Sequence, residues 1–207
     1  MNSYNLSDSQ RRIWLLQNET TKVFNSEGRI DIRGEINIDE LESYINLIVS
    51  RNDILRTNYF ATKENLFPQQ VVSDIVHIKP IVHNYSHIIS EDLKFNEMDR
   101  YLNEMAKLPV NFENEILLKV FIFQFSLTHF VLVIIIPSIS MDSFSLLNIF
   151  EQVFNMLQHK KTKDELAIIQ YPQYAGWQNS MLNEPEPEAE KYWKEKQMLN
   201  VSNKNSF

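Results

Sequence analysis

The spacing of hydrophobic and polar residues predicts that helices and strands alternate along the first part of the chain. Ser7 and Gln10 have the three-residue spacing of a capping box, so a helix is expected to begin there. Between residues 28 and 34, isoleucines alternate with charged residues, which is typical of a half-buried strand. A second helix is expected after Asn37, because hydrophobic residues recur at helical spacing at Leu41, Tyr44, Ile45 and Ile48.

The middle of the chain carries its most hydrophobic segments. Two or three strands are expected around residues 57–62, 67–72 and 76–82, and an amphipathic helix over 91–107. Residues 115–126 and 129–136 are rich in β-forming residues and are separated by a short polar turn, which predicts a hairpin. The stretch Val131–Ile136 is apolar at every position, so we expect a central strand that is covered on both faces and ended by Pro137.

Two further helical segments are predicted near the end of the chain. A helix should begin at Asp142 or Ser143 and bury the residues that follow at helical spacing: Leu146, Ile149, Phe150, Val153, Phe154 and Leu157. Residues 168–182 are rich in aromatic side chains, and residues 184–188 form an acidic, proline-containing hinge. No internal linker divides this series, so the sequence predicts one α/β unit over residues 1–207, a two-layer sandwich of helices on one mixed sheet.

The composition excludes several classes of protein. The 207 residues include 43% hydrophobic residues, no cysteine and three glycines, and carry a formal net charge of -7. The hydrophobic content argues against a disordered chain, and the missing cysteines exclude disulfides, a cysteine nucleophile and thiolate metal sites. With so few glycines, neither a glycine-rich phosphate loop nor a GxSxG nucleophile elbow is present. The negative charge argues against nucleic acid or an anionic membrane as a partner.

No segment is predicted to target the chain to a membrane or to span one. The N-terminal residues lack the apolar core of a signal peptide. The longest apolar run, Phe130–Ile136, is far shorter than the roughly 20 residues that cross a bilayer. We therefore expect a cytoplasmic protein.

Four segments, in this order, resemble the motifs of condensation domains of nonribosomal peptide synthetases. They are LSDSQRRIW at 6–14 (similar to LSxxQxRLW), RNDILRT at 51–57 (similar to RHExLRT), YPQYAGWQ at 171–178 (similar to YxDYAxWQ) and the pair Tyr192-Trp193. The resemblance implies a chloramphenicol-acetyltransferase-like fold, in which two lobes enclose the site where a carrier-bound donor and an acceptor meet. It covers the first lobe only, so residues 1–207 are expected to form an N-terminal lobe whose second lobe is absent.

The central motif of that family, HHxxxDG, is degenerate in this chain. Pro137 and Ser138 stand at the two histidine positions, and Ser143 stands at the glycine. The resemblance implies that the second histidine is catalytic, either as a general base or as a hydrogen-bond donor that orients the acceptor amine. A serine hydroxyl has no useful proton affinity near neutral pH, although it can donate a hydrogen bond. We therefore predict no catalytic residue in this lobe.

Asp142 matches the aspartate of the same motif. In the family that this chain resembles, the aspartate forms a structural salt bridge with the arginine of the LRT segment, so a pair between Arg56 and Asp142 is expected. Asp142 can also cap the following helix, which is compatible with that salt bridge, or act as a catalytic acid. Cyclisation domains carry DxxxxDxxS at this place, which Asp142 and Ser145 match but Pro137 does not.

Other residues are candidates for function, each with a structural alternative. His83 and His87 have the i, i+4 spacing of a metal site, but Pro80 and the following turn residues favour exposed loop histidines, and no metal site is predicted. His129, placed in the hairpin turn, is assigned no role. A Ser/His/Asp triad is not excluded by composition alone. The basic residues Lys160, Lys161 and Lys163 form either a solvated face or a contact for the phosphate of a carrier's phosphopantetheine. The aromatic residues either pack the chain end onto the lobe or form an exposed docking surface: Tyr171, Tyr174, Trp177, Tyr192 and Trp193.

Three hypotheses for function follow from the sequence. The first is a catalytically inactive lobe that serves as an interaction or scaffold element of a peptide synthetase. It would have no cofactor of its own and would contact an adenylation domain, a carrier domain or an enzyme recruited in trans. The second is a fragment or split half of a condensation domain that forms amide bonds between carrier-bound substrates. The third is a stand-alone acyltransferase-like protein, which would need a cavity closed within the lobe.

Overall fold

The fold is organised around a four-stranded sheet, as seen in a computed structural model of the chain. The structure describes residues 3–20, 23–61, 65–159, 169–184, 188, 191–194 and 196. The strand order is β2-β7-β6-β5, formed by β2 (Asn25–Arg33), β5 (Ile81–Asn84), β6 (Lys119–Ser126) and β7 (His129–Pro137). β7 is antiparallel to β2 and to β6, whereas β5 is parallel to β6, so the predicted mixed sheet is confirmed.

β7 is the central strand of this sheet. All of its residues are buried, and Leu132 lies opposite Ile30 of β2 on one side and Ile122 of β6 on the other. A strand that is covered on both faces can be apolar at every position, which explains why Val131–Ile136 shows no alternation. The predicted central strand and its hairpin with β6 are therefore confirmed.

Helices cover both faces of the sheet. α2 (Ile38–Arg51) and α4 (Ser143–Leu157) pack on one face and form the larger hydrophobic core with it. α3 (Glu91–Met105) packs Met98 and Leu102 on the opposite face, against phenylalanines of β6 and valines of β7. The predicted α/β sandwich is confirmed, and it has a helical layer on each side of the sheet where one layer was expected.

A second, smaller sheet stands beside the first. It has the order β1-β4-β3 and consists of three antiparallel strands, β1 (Ser3–Asn5), β3 (Thr57–Phe60) and β4 (Gln69–Val72). The sequence predicts β3 and β4 but places every strand in one sheet, and that expectation is wrong. Strands of three or four residues are too short for their hydrophobic pattern to specify a pairing partner.

Two helices lie beside the small sheet. α1 (Asp8–Asn18) places Ile13 and Trp14 against the cluster around Tyr59, and α5 (Tyr171–Asn183) packs on β1. The predicted capping box is confirmed, because Ser7 Oγ accepts from the backbone of Gln10 while the Gln10 side chain accepts from the backbone of Ser7. Within the described residues, no helix combines the length and apolarity required to cross a membrane.

The predicted inward face of α4 needs one correction. Phe154 is 51% exposed, whereas Met156, which the sequence prediction leaves out, is buried. At about 100° per residue, Phe154 lies at the edge of the stripe formed by the buried residues of α4 and next to the exposed Leu147. The other predicted core positions of α4 pack into the larger hydrophobic core, as expected.

Candidate functional site

The residues that the sequence analysis compares with the HHxxxDG motif form a short loop between β7 and α4. Pro137 is the last residue of β7 and Asp142 caps α4, so the connection consists of residues 138–141. The backbone N–H of Ser138 donates to the carbonyl oxygen of Phe24 at 2.8 Å, which attaches the start of the loop to the segment before β2. Ser138, which the sequence analysis expects at the position of the second histidine, is therefore held on the lobe by a backbone hydrogen bond that does not depend on its side chain.

The hydroxyl of Ser138 faces a second serine. Ser26 Oγ lies 3.1 Å from Ser138 Oγ and 2.6 Å from the carbonyl oxygen of Met141. A carbonyl oxygen has no proton, so Ser26 donates to Met141 and its single hydroxyl proton is used there. Ser138 is therefore the donor to Ser26, and its proton points towards β2. In this arrangement Ser138 can accept a hydrogen bond, but it has no proton left to offer an acceptor amine or an oxyanion.

A cluster of buried polar side chains holds the loop from below: Gln10, Tyr59, Gln70 and Ser140, which are at most 8% exposed. The Gln10 amide donates to Gln70 Oε1 at 3.2 Å and to the carbonyl of Ile139 at 3.3 Å. The Tyr59 hydroxyl also donates to Ile139 at 3.3 Å and lies 2.9 Å from Ser140 Oγ. Because buried polar groups need partners, this cluster fixes the conformation of the motif loop.

This cluster has a structural role, and its side chains are neutral near pH 7. Burial raises the pKa of the Tyr59 phenol far above its usual value. Tyr59 therefore stays protonated near neutral pH and cannot act as a base. The other members of the cluster, two amides and a hydroxyl, are neutral as well.

Arg56 does not form the expected salt bridge with Asp142. Its guanidinium donates instead to the carboxylate of Asp53 and to the backbone carbonyl of Ser73. Asp53–Arg56 is a 3-10 helix, in which side chains three residues apart are eclipsed, so Asp53 lies directly beside Arg56. The LRT arginine is thus paired within its own motif, and the carboxylate of Asp142 is used elsewhere.

Asp142 is the N-cap of α4. Its Oδ1 accepts the backbone N–H of Ser145 at 2.8 Å, and this hydrogen bond holds the pKa of the Asp142 carboxyl below its usual value. The carboxyl is exposed, as is Ser143 at the start of the helix. A carboxyl that is ionised in this way has no proton to donate near neutral pH, so the geometry supports the capping role and not the catalytic acid.

The Asp142 cap carries a pH-dependent prediction. Asp142→Ala should lower the free energy of unfolding by about 1 kcal/mol at pH 7. Because the folded-state pKa is depressed, this stabilisation is present above about pH 4 and is lost as the pH falls through the folded-state pKa. Urea denaturation at several pH values measures the difference from wild type, which should shrink towards zero in acid.

A neutral cap provides the matched control for that experiment. Ser90 caps α3 by accepting from the backbone N–H of Leu93, and it does not titrate. Ser90→Ala should cost a similar amount of stability at every pH. A loss for Asp142→Ala that is equally independent of pH would contradict the assignment of its carboxylate as the cap.

The segments that resemble family motifs meet around α5. Tyr171 Oη lies 2.8 Å from Ser7 Oγ, and the Gln178 side chain accepts from the backbone N–H of Asp8 at 3.0 Å. Gln170, which precedes α5, accepts from the backbone N–H of Asp53 at 2.9 Å. Three segments that are distant in the sequence are therefore joined by direct hydrogen bonds.

The predicted docking surface is only partly available on the described lobe. Tyr171 is half-buried and its hydroxyl faces Ser7, so it belongs to the interior contacts. Tyr174 and Trp177 are exposed on α5, and their rings lie 6.0 Å apart. Tyr192 and Trp193 are also exposed and form an edge-to-face pair. Four of the five aromatic residues thus present surface to solvent.

The predicted locations of the histidines agree only in part with the structure. His83 lies in β5 and stacks on Phe123 with ring centroids 5.0 Å apart, so it is not the exposed loop residue that was expected, and burial lowers its pKa. His129 is the first residue of β7, not a turn residue, and its Nε2 lies 2.8 Å from Asp31. No metal-binding group of histidines and acidic residues is found in the part of the chain that the structure describes. The predicted basic face, Lys160, Lys161 and Lys163, lies outside the described residues.

An internal void lies under α4. It is lined by aliphatic side chains of α2, β6, β7, α4 and the segments next to them, and by Met141 of the loop before α4. Its volume is about 10 Å³, which is room for a single water molecule. This void does not offer the closed substrate cavity that a stand-alone acyltransferase would need.

The sequence analysis did not identify three residues that hold the motif loop or its supporting cluster: Ser26, Tyr59 and Gln70. Ser26 shares the inward face of β2 with residues 28, 30 and 32, where a polar residue needs a partner, but it lies before residue 28, where the predicted strand begins. Tyr59 and Gln70 are opposite each other in the pairing of β3 with β4. No local signal shows that pairing, since it depends on the small sheet.

Comparison with known proteins assigns the family. The family described as Condensation domain matches residues 1–204, so the chain belongs to the condensation domain family. Gramicidin S synthase 2 of Brevibacillus brevis is 26% identical over 171 residues, which cover 80% of this chain and 4% of that synthase. Surfactin synthase subunit 2 of Bacillus subtilis (strain 168) is 28% identical over 170 residues, covering 81% of this chain and 5% of that protein.

Solved structures confirm the predicted fold. The starter condensation domain of rhizomide synthetase superposes with a TM-score of 0.75 at 16% identity, covering 89% of this chain and 45% of that one. The first condensation domain of the CDA synthetase superposes with a TM-score of 0.72 at 14% identity, covering 88% of this chain and 47% of that one. The chain therefore spans about half the length of the solved condensation domains it matches.

Proposed function

We propose that this lobe is a catalytically inactive condensation-like element that serves as an interaction or scaffold component of a nonribosomal peptide synthetase assembly line. The observation that carries the proposal is the geometry of Ser138. Its hydroxyl replaces an imidazole, has no base beside it among the described residues, and donates its proton to Ser26. General base catalysis needs a group whose pKa lies near the working pH, and a serine hydroxyl does not meet that condition.

The retained scaffold supports the same proposal. The buried cluster around Gln10 and Tyr59 still fixes the motif loop, and Asp142 still caps α4. The hydrogen bonds between α1, α5 and the Asp53–Arg56 turn also remain. These internal contacts support a folded lobe that acts through its surface.

The proposed partners are an adenylation domain, a carrier domain or an enzyme recruited in trans. The surface offered to them is the set of exposed aromatic residues, Tyr174, Trp177, Tyr192 and Trp193. The role needs no cofactor. A contact between the phosphate of a carrier's phosphopantetheine and the lysines at 160, 161 and 163 is part of the same proposal.

Two assays on the full chain test the proposal. With loaded donor and acceptor carrier domains, wild type and Ser138→Ala should both give no peptide product, while an intact condensation domain with both motif histidines serves as the active control. Affinity capture with the purified adenylation and carrier domains of its synthetase should retain at least one of them. Product formation that Ser138→Ala abolishes, or failure to bind any of these domains, would overturn the proposal.

A second candidate function is half of a split or longer condensation domain that forms amide bonds. The observation in its favour is that the chain covers only 45% of the rhizomide synthetase domain and 47% of the CDA synthetase domain. Adding the complementary lobe to the carrier assay tests it. Product that appears only when both lobes are present would favour this candidate over the scaffold.

A further inference from the structure

α5 is held on the lobe mainly by hydrogen bonds of polar side chains. Pro172 and Ala175 are its buried apolar residues, whereas Trp177, Met181 and Leu182 are exposed. Among the described residues, no side chain of α5 belongs to the three buried hydrophobic clusters of the lobe. Because burial of apolar surface is the main source of folding free energy, the docking of α5 is stabilised less than that of the core helices.

The hydrogen bonds of α5 reach two separate parts of the lobe. Directly before the helix, the Gln170 side chain accepts from the backbone N–H of Asp53 at 2.9 Å and donates to the carbonyl oxygen of Arg51 at 3.1 Å. In the second half of the helix, Gln178 accepts from the backbone N–H of Asp8 at 3.0 Å. α5 therefore forms a strap between the end of α2 and the start of α1, with a polar anchor on each.

α5 is also a weak helix by itself. It has 13 residues, and isolated helices of about that length are marginal in water even when they are rich in alanine. Gly176 lies in its interior, and glycine is a poor helix former. The helix contains no Asp, Glu, Lys, Arg or His, so no ion pairs four residues apart support it. We therefore expect α5 to lose its helical structure when it leaves the lobe.

We propose that α5 is a releasable strap, which leaves the lobe and unfolds as one unit while the main sheet and its core stay intact. Release lengthens the connection across residues 171–183 from about 20 Å as a helix to as much as about 45 Å as an extended chain. The strap thus sets whether the chain after residue 183 is held close to the lobe or is tethered at a distance from it. An order–disorder transition of one segment is a known form of conformational switch.

Two backbone amides outside α5 report its release. Asp8 and Asp53 are each the first residue of a helix, where the N–H has no partner within the helix. Their acceptors are the side chains of Gln178 and Gln170, so both amides lose a hydrogen bond when the strap leaves. In native-state hydrogen exchange of the full chain, the amides of Asp8, Asp53 and α5 should share one protection factor. That factor should be roughly 100-fold or more below the protection of the central strand β7.

Two variants distinguish release of α5 from unfolding of the whole lobe. Tyr171→Phe removes the hydroxyl that lies 2.8 Å from Ser7 Oγ, so it destabilises the docked strap and should lower the protection of α5 by about 2–10-fold. Val153→Ala, the control, weakens the larger core at a fully buried residue, and that core is present whether α5 is docked or released. It should lower the protection of β7 by roughly tenfold or more and leave that of α5 unchanged. Ile149→Val is a milder truncation in the same core and serves if Val153→Ala does not fold.

Several results would overturn the releasable strap. If the amides of α5 are as protected as those of β7, or if the core variant lowers both protections by the same factor, α5 opens only when the whole lobe unfolds. If the amides of Asp8 and Asp53 have different protection factors, α5 frays from one end and is not released as one unit. If Tyr171→Phe leaves α5 as protected as in wild type, the polar anchors do not hold it. None of these measurements involves a partner domain, so failure of the proposed function would not change them.

Discussion

Replacing Gly28 by alanine is expected to lower the free energy of unfolding by about 1–3 kcal/mol. Gly28 lies in β2 opposite Ile134, on the face covered by α4. A Cβ atom at this position would lie 2.5 Å from Cε2 and 3.2 Å from Cζ of Phe150. Phe150 is buried in the larger core, so its ring can move away only by displacing its neighbours.

Denaturant unfolding of four variants tests this prediction: Gly28→Ala, Gly176→Ala, Phe150→Leu and the double variant Gly28→Ala/Phe150→Leu. Gly176→Ala is the opposite control: the added Cβ would meet nothing closer than 3.9 Å, and alanine inside α5 should stabilise the lobe by about 0.5–1 kcal/mol. Gly28→Ala combined with Phe150→Leu should lose less than the sum of the two single changes, because the leucine removes the clashing atoms. If the losses of unfolding free energy are additive, or if Gly28→Ala is as stable as wild type, Phe150 of α4 does not pack closely against β2 at Gly28.

The features that the sequence predicts well are those set by neighbouring residues. The capping box of Ser7 and Gln10 needs only three residues of spacing, and the central strand Val131–Ile136 shows itself by continuous apolarity. The start of α4 at Ser143 was predicted to within a residue, because Asp142 is a good N-cap. The resemblance to the family motifs predicted the fold, which no single helix or strand specifies.

The features that the sequence did not predict depend on contacts between distant residues. Arg56 was expected to pair with Asp142, but a carboxylate three residues away, on Asp53, lies closer in the 3-10 turn. The contact between Ser26 and Ser138 joins β2 to the motif loop, and the local pattern of hydrophobic and polar residues does not indicate it. The three-residue β1 and its small sheet are similarly invisible to hydrophobic periodicity.

The aromatic residues near the chain end include one feature that the sequence predicts and one that depends on contacts between distant residues. Their identity suggested a docking surface, and the exposure of Tyr174 and Trp177 is in keeping with it. The hydroxyl of Tyr171, however, is held by Ser7, across most of the sequence. Only the orientation of α5 on β1 divides these residues into an inward and an outward set, and that orientation depends on tertiary contacts.

Gln10→Leu is expected to lower the free energy of unfolding by about 2–4 kcal/mol, a large loss for a polar substitution. Leucine has a similar volume, so the packing beneath the loop is largely retained and the loss is one of hydrogen bonds. The side chain of Gln10 accepts from Ser7 at 2.9 Å and donates to Gln70 and Ile139. Its removal leaves a buried backbone N–H and a buried amide oxygen without these partners, and each such group costs about 1–3 kcal/mol.

Gln178→Leu provides the same chemical change at a half-buried position. Gln178 accepts one short hydrogen bond, from the backbone of Asp8 at 3.0 Å, so its loss should cost only about 0.5–1.5 kcal/mol. Hydrogen exchange separates the two variants further. Gln10→Leu should accelerate exchange of the Ser138 and Ser140 amides, because the loop loses its anchor at Ile139, whereas Gln178→Leu should leave them protected. Equal unfolding losses and unchanged loop protection would show that the loop between β7 and α4 is held by its backbone hydrogen bonds alone, and the buried cluster would then have no part in fixing its conformation.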